Sequence, residues 1–167
     1  MGSITARELP AEALLNKYRE QGAYTDCYAT EMALPISHAD FVEAFYTTPL
    51  FKLERLILAL LLGRPASDAQ ARELAKGRLD RFAAWTVEGR AENQLLLCDF
   101  QSRTRSWLMV EAAADGRSTR LFFGSAVVPK LDRRSGERRM GAAFVALLGF
   151  HKLYSRLLLR AAVARLG

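Results

Sequence analysis

The sequence predicts an α+β domain in which a curved antiparallel β-sheet wraps around one long C-terminal helix. Residues 140–166 contain no proline and, at about 100° per residue, are apolar over most of the helix circumference. Residues 81–128 hold four short runs rich in β-branched and aromatic residues, separated by turn residues. An antiparallel sheet has one face to bury, and the long apolar helix is expected to cover it.

Length and composition indicate one globular domain. The chain has 167 residues, of which 50% are apolar and 25% charged, enough for a substantial core. We expect a single domain over residues 1–167, with residues 1–22 as an N-terminal helical extension. The first residues lack the features of a signal peptide, and Cys27 and Cys98 are too few for a disulfide scaffold. These observations favour a cytoplasmic protein.

Start and stop signals divide the first half of the chain into helices and one strand. The starts are Ser or Thr caps or a proline in the first turn, and the stops are glycines or a proline. The predicted segments are helix 11–21, strand 24–34, a helix capped by Ser37 that runs through Tyr46, and helices 50–62 and 68–76. Two or three helices are therefore inserted after the first strand.

The later strands are predicted over residues 81–88, 94–101, 104–112 and 119–128, which makes five strands in all. Asp115-Gly116 is a strong hairpin signal between the last two. A turn centred there predicts the cross-strand pairs Ser106–Ser125, Leu108–Phe123 and Glu111–Arg120. A two-residue turn at Ser102-Arg103 would likewise place Asp99 opposite Ser106 and Leu97 opposite Leu108.

This register sorts the side chains onto two faces. The pair of Glu111 and Arg120 belongs in water, so the opposite face, which is mostly apolar, is expected to meet the C-terminal helix. Asp99, Ser106 and Ser125 would form a polar row on that inner face. Trp107, beside Gly124, falls on the outer face. A slip of one residue in either turn would exchange the faces.

Several strings resemble those of uncharacterised bacterial members of the START-like superfamily, also called SRPBCC or helix-grip proteins. They are CDF at 98–100, TRSWL at 104–108, FFGSAVV at 122–128 and FHKLYSRLLL at 150–159. The resemblance spans residues 23–166 and implies a sheet wrapped around the C-terminal helix, often with a cavity between them. That superfamily includes lipid and hormone carriers, aromatic-polyketide cyclases and oxygenase subunits. The five predicted strands are fewer than its fold usually has.

The predicted polar row points at the terminal helix, on which His151 and Tyr154 lie near the middle of the apolar arc. We therefore expect a cavity lined by Asp99, Ser106, Phe123, Ser125, Phe144, His151 and Tyr154. The alternative is a core network in which Asp99 accepts hydrogen bonds from Ser106, Ser125 or a backbone N–H, because an unpaired buried carboxylate is costly. His151 by itself fits a core or rim histidine held by hydrogen bonds better than it fits a general base.

No catalytic signature of the GxSxG, Walker A, GxGxxG or HExxH type occurs in the sequence. His38 and His151 are its only histidines, and the two cysteines lack metal-ligand spacing. We therefore expect no metal and no cofactor.

Three functions remain open. The first is binding of an apolar or lipid-like small molecule in a cavity between the sheet and the C-terminal helix, closed by the helices of residues 37–62. The second is a cyclase- or hydrolase-type enzyme that uses Asp99 and His151 as an acid–base pair in the same cavity. The first needs no catalytic signature and is preferred.

The third function is a peripheral contact with an anionic membrane surface or a partner protein. The net charge is +6, and residues 130–167 hold nine Lys and Arg against two acidic residues. The basic loop 130–139 and the apolar segment Leu56–Leu62 would make this contact. No aromatic residues alternate with the arginines of the loop, so nucleic acid is not an expected partner.

Overall fold

A computed structural model describes the backbone of residues 2–131, 138–139 and 142–167, with side chains for residues 2–129 and 149–167. The strands are β1 (Thr5–Ala6), β2 (Tyr24–Met32), β3 (Arg81–Phe82), β4 (Trp85–Ala91), β5 (Gln94–Asp99), β6 (Thr104–Ala112), β7 (Thr119–Val127), β8 (Lys130–Leu131) and β9 (Arg138–Arg139). The helices are α1 (Asn16–Glu20), α2 (His38–Tyr46), α3 (Pro49–Leu62), α4 (Asp68–Ala75) and α5 (Ala142–Leu166). None of the helices within these ranges is long and apolar enough to cross a membrane.

The predicted α+β architecture is confirmed. In the described part of the chain, seven strands form one antiparallel sheet in the order β1-β2-β7-β6-β5-β4-β3, and β8 and β9 pair separately. The sheet exceeds the five predicted strands because β1 and β3 are two residues long, too short for an alternating pattern. Helices α2, α3 and α4 follow β2, as expected.

The helix starts follow the predicted capping chemistry. The Ser37 side chain accepts a hydrogen bond from the Asp40 N–H, and Thr48 accepts one from the Phe51 N–H. Ser67 and Gln70 form the complete capping box at the start of α4. In each case a side-chain oxygen satisfies a backbone donor that has no partner within the first helical turn.

The predicted register is right for one hairpin and wrong for the other. Strands β6 and β7 pair as the Asp115-Gly116 turn requires, with Ser106 opposite Ser125. In the β5–β6 hairpin, however, Ser106 lies opposite Leu97, two residues away from the predicted partner Asp99. The connection is a four-residue loop, residues 100–103, rather than a two-residue turn. A shift of two residues keeps every side chain on its predicted face.

The Asp99 carboxylate explains this loop. Its Oδ1 accepts hydrogen bonds from the backbone N–H of Arg103 at 2.6 Å and of Thr104 at 3.0 Å. Ser102 adopts a left-handed conformation with φ of 57°, which the loop needs in order to reverse. Asp99 thus ends β5 and does not belong to the predicted polar row.

The inner face of the sheet packs against the helices, as predicted. Leu95, Leu97, Leu108 and Leu121 are fully buried there. From the helices come the aromatic residues Phe41, Phe45, Tyr46 and Phe51 and, on α5, Leu158, Leu159, Ala162 and Val163. Although the sequence of α5 is apolar over most of the helix circumference, part of that apolar surface is not covered, because Phe150, Leu153 and Leu157 are exposed.

The outer face is also largely buried, which the sequence did not predict. Residues 9–18 lie over Trp107, which is fully buried on this face. Gln94 fastens the segment: its Oε1 accepts from the Leu14 N–H and from Trp107 Nε1, both at 2.9 Å. The N-terminal helix is shorter than predicted and covers only Asn16–Glu20.

Candidate functional site

A carboxylate and a hydroxyl meet where β2 pairs with β7. Asp26 lies directly opposite Ser125 in the register of the two strands. Asp26 Oδ1 accepts hydrogen bonds from the Ser125 N–H at 3.0 Å and from Ser125 Oγ at 2.7 Å. The Asp26 side chain is only 8% exposed. Two donors from one residue therefore hold a nearly buried carboxylate at the interface between the sheet and α5.

His151 on α5 completes this group, which we call the Asp26–Ser125–His151 cluster. Its Nε2 lies 2.8 Å from Ser125 Oγ and 3.3 Å from Asp26 Oδ2. The ring also meets that of Tyr24 edge to face, with centroids 6.2 Å apart. The imidazole is 26% exposed, so solvent reaches the cluster from the side of the histidine.

The donors and acceptors define what this cluster can do. A carboxylate only accepts, so the short contact with Asp26 makes Ser125 Oγ the donor. The Ser125 hydroxyl then has only lone pairs for His151, and Nε2 must be the N–H donor. In a Ser–His–Asp triad, by contrast, one imidazole nitrogen takes the serine proton while the carboxylate holds the other nitrogen. Here both partners lie at Nε2, so Ser125 is not activated as a nucleophile.

The phenol of Tyr24 stays protonated because it is partly buried and lies beside the Asp26 carboxylate. The pKa of Tyr24 is raised above its ordinary value, first by burial and then by the negative charge of Asp26. An ionised phenol would lie in a poorly hydrated place beside a carboxylate. Tyr24 is therefore a neutral hydrogen-bonding group at the edge of the cluster.

A second polar pair lies one helical turn further along α5. Tyr154 donates a hydrogen bond to the Glu54 carboxylate of α3, which joins the two helices. Burial raises the pKa of Glu54, and the Tyr154 hydrogen bond opposes this shift to a smaller extent. The pKa of Tyr154 is raised by burial and by the charge of Glu54. Two acidic groups, Asp26 and Glu54, thus face α5 within one turn of each other.

The structure brings together only some of the residues predicted to line the site. Ser125 and His151 are in contact, and Tyr154 follows one turn later with Glu54 as its partner. The Phe144 side chain lies outside the described residues. Asp99 lies in the β5–β6 loop, so the carboxylate beside His151 is that of Asp26.

Ser106 and Phe123 lie deeper, among the packed aromatic side chains. Ser106 Oγ is 3.0 Å from the hydroxyl of Tyr46, a buried pair. Phe123 packs against Phe45 with ring centroids 4.7 Å apart. Of the predicted polar row, Ser106 thus has a partner within the core, and Ser125 has its partners near the surface.

Sequence reasoning missed Asp26, Tyr24 and Glu54. Alternation along β2 places Tyr24, Asp26 and Tyr28 on one face, and a polar residue between two aromatic residues was the available signal. Its partner could not be identified, since Asp26 and Ser125 are 99 positions apart in the chain. Within the described ranges, no three His, Cys, Asp or Glu residues lie close enough together to hold a metal ion.

The comparisons with known proteins identify no family. No family model and no curated protein match the chain. Among solved structures it is similar to CalU16 from Micromonospora echinospora, with a TM-score of 0.39 and 10% identity over 99% of this chain and 92% of that one. It is also similar to EF2215, a conserved protein of unknown function from Enterococcus faecalis, with a TM-score of 0.34 and 13% identity over 90% of this chain and 94% of that one. Similarity at this level supports no conclusion about function.

Proposed function

We propose that the protein binds an apolar or lipid-like small molecule between the sheet and α5, with the polar end of the ligand at the Asp26–Ser125–His151 cluster. The observation that supports this is a nearly buried carboxylate whose neighbouring imidazole is reached by solvent. Polar groups that converge in otherwise apolar surroundings are typical of small-molecule sites. The proposal includes that the chain belongs to the START-like superfamily and shares the ligand cavity of that fold.

The charges of the cluster restrict the ligand. A ligand carboxylate placed here would lie beside Asp26, and its negative charge would be repelled. A hydroxyl avoids that cost, since it is neutral and can donate a hydrogen bond to the Asp26 carboxylate. We therefore expect a neutral polar end on the ligand, attached to an apolar body.

Acid–base catalysis is the second candidate, because an imidazole and a carboxylate lie 3.3 Å apart at a partly exposed position. Asp26 would then take the role that the sequence suggested for Asp99. In this hypothesis, Asp26 orients His151 while His151 transfers a proton to or from the substrate. Turnover that is lost in both Asp26→Asn and His151→Gln would support it.

Mass spectrometry of organic extracts from the purified protein tests the binding proposal. We expect a neutral apolar compound to be present, and the neutral dye Nile red to bind once it is removed. Ser125→Leu should place an apolar side chain against His151 and abolish dye binding. Because it also removes the Oγ–H donor of the nearly buried Asp26 carboxylate, it should lower the free energy of unfolding, so binding is measured at a temperature where its circular dichroism spectrum matches that of the parent.

The matched control is Ser118→Leu, which changes a half-buried serine in the β6–β7 loop whose hydroxyl donates to Glu31 and should leave dye binding intact. A parent protein that yields no ligand and binds no dye would overturn the proposal. So would a Ser125→Leu variant that binds the dye as tightly as the parent does.

A further inference from the structure

Helix α3 presents an apolar face to solvent. Leu53, Leu56, Ile57, Leu60 and Leu61 are all exposed, with Leu60 and Leu61 at 77% and 76%. Their spacing of three and four residues places them along one side of the helix. On a globular protein such a stripe normally faces the core, but α3 buries only Phe51 and Arg55.

Helix α5 extends this apolar face. Phe150, Leu153 and Leu157 are exposed at the same spacing along α5, and the Tyr154–Glu54 hydrogen bond holds the two helices together. We call these eight residues of α3 and α5 the α3–α5 surface. Several exposed large apolar side chains grouped in this way mark an interaction site.

Two arginines border the α3–α5 surface. Leu153 and Leu157 also line an open groove of about 480 Å³, in which Arg156 and Arg160 lie beside the N-terminal residues 2–4. Both arginines are exposed, and the Arg156 guanidinium lies over the Tyr28 ring, 5.7 Å from its centroid. A groove with apolar walls and two cations suits an anionic head group attached to an acyl chain.

Apart from Glu54, the charged residues of α3 and α5 are all cationic. The sequence contains no acidic residue from 138 to 167 or from 56 to 67, whereas Lys152, Arg156, Arg160 and Arg64 fall in these segments. Glu54, the acidic residue next to the α3–α5 surface, is engaged by Tyr154. Two copies of the chain meeting through this surface would bring like charges together, whereas an anionic bilayer would neutralise them.

We propose that the α3–α5 surface docks on an anionic lipid bilayer. The 14 residues of α3 span roughly 21 Å at about 1.5 Å per residue, short of the hydrocarbon thickness of about 30 Å. The helix therefore lies along the membrane plane with its leucines among the acyl chains, and Arg156 and Arg160 contact lipid phosphates. This proposal does not depend on the ligand proposed above.

Co-sedimentation with vesicles tests the proposal. The parent protein should bind vesicles that contain phosphatidylglycerol, bind vesicles of phosphatidylcholine alone at least about tenfold more weakly, and lose affinity as salt is added. Leu60→Gln/Leu61→Gln should lower the partition coefficient at least about tenfold. Because both leucines are largely exposed, this variant should fold normally. Arg156→Gln/Arg160→Gln should remove most of the preference for phosphatidylglycerol.

Matched controls change the same residue types elsewhere. Leu34→Gln alters an exposed leucine between β2 and α2, and Arg19→Gln/Arg117→Gln removes two exposed arginines from α1 and the β6–β7 loop. Both should bind like the parent. A parent that ignores phosphatidylglycerol vesicles, or a leucine double variant that still binds them, would overturn the proposal. A dimer in sedimentation velocity that the leucine double variant dissociates would also overturn it, since a second copy would then be the occupant.

Discussion

The hydroxyl of Ser125 on β7 and Nε2 of His151 on α5 lie 2.8 Å apart. This contact ties the last strand of the sheet to the C-terminal helix, and Asp26 on β2 joins both of them. Three elements that are distant in the sequence therefore converge on one hydrogen-bonded group. The candidate site depends on this convergence, and the first prediction tests it directly.

Replacing Asp26 by Asn should destabilise the protein even though the two side chains have the same shape. The remaining oxygen can still accept from Ser125, but the new NH₂ group would face the Nε2–H of His151 as a second donor. We expect the free energy of unfolding to fall by about 1–3 kcal/mol in urea denaturation. Asp115→Asn, at an exposed turn where Asp115 accepts from the Arg117 N–H at 3.0 Å, is the control and should change it by about 0.5 kcal/mol or less. Equal effects of the two variants would contradict the described hydrogen bonds.

Glu54→Gln should stabilise the protein at alkaline pH. Burial raises the pKa of Glu54 in the folded state above its ordinary value of 4.5. The folded protein favours the protonated Glu54 carboxyl, so the stability that this group contributes is fully present below pH 4.5. That contribution is lost as the pH rises through the folded-state pKa. Glutamine cannot ionise, so the variant should gain on the order of 1 kcal/mol over the parent at high pH. Denaturation curves across the pH range check this; parallel pH profiles for the two proteins would refute it.

His38 should make the protein sensitive to acid. Burial at the start of α2 lowers its pKa from 6.5 to about 4. The unfolded chain therefore binds a proton at a pH where the folded protein does not, and stability present above pH 6.5 is lost as the pH falls toward 4. Relative to His38→Gln, the parent should lose on the order of 2 kcal/mol of unfolding free energy across that interval. His151 is present in both proteins, so the difference between their pH profiles isolates His38.

Gly124→Ala should be strongly destabilising. A Cβ at this position would lie 2.8 Å from the Asp26 carbonyl oxygen and 2.9 Å from Trp107 Cε3, both fixed by packing. We expect a loss of about 1–3 kcal/mol or more from this overpacking. Gly149→Ala is the matched control, because a Cβ there meets no atom of the described residues within 4 Å. That change should stabilise α5 by about 0.5–1 kcal/mol. Thermal denaturation of both variants distinguishes the two outcomes.

Local signals in the sequence predicted the elements well. Ser37, Thr48 and Ser67 cap the helices as expected, and the Asp115-Gly116 turn fixed the β6–β7 register, including Ser106 opposite Ser125. The β5–β6 register failed because the Asp99 side chain builds a longer loop by accepting two backbone N–H groups. That interaction is also local, but a two-residue turn fits the same residues equally well.

The sequence by itself determined the α+β class, the order of elements and the inner face of the sheet, because capping residues, turns and alternation act over a few residues. Only the tertiary structure decided that Asp26 meets Ser125 and His151, that residues 9–18 cover Trp107, and that the leucines of α3 remain exposed. Two strands about one hundred residues apart pair, and one apolar face rather than another is covered, according to how much apolar surface the whole chain can bury. No short stretch of sequence encodes that choice.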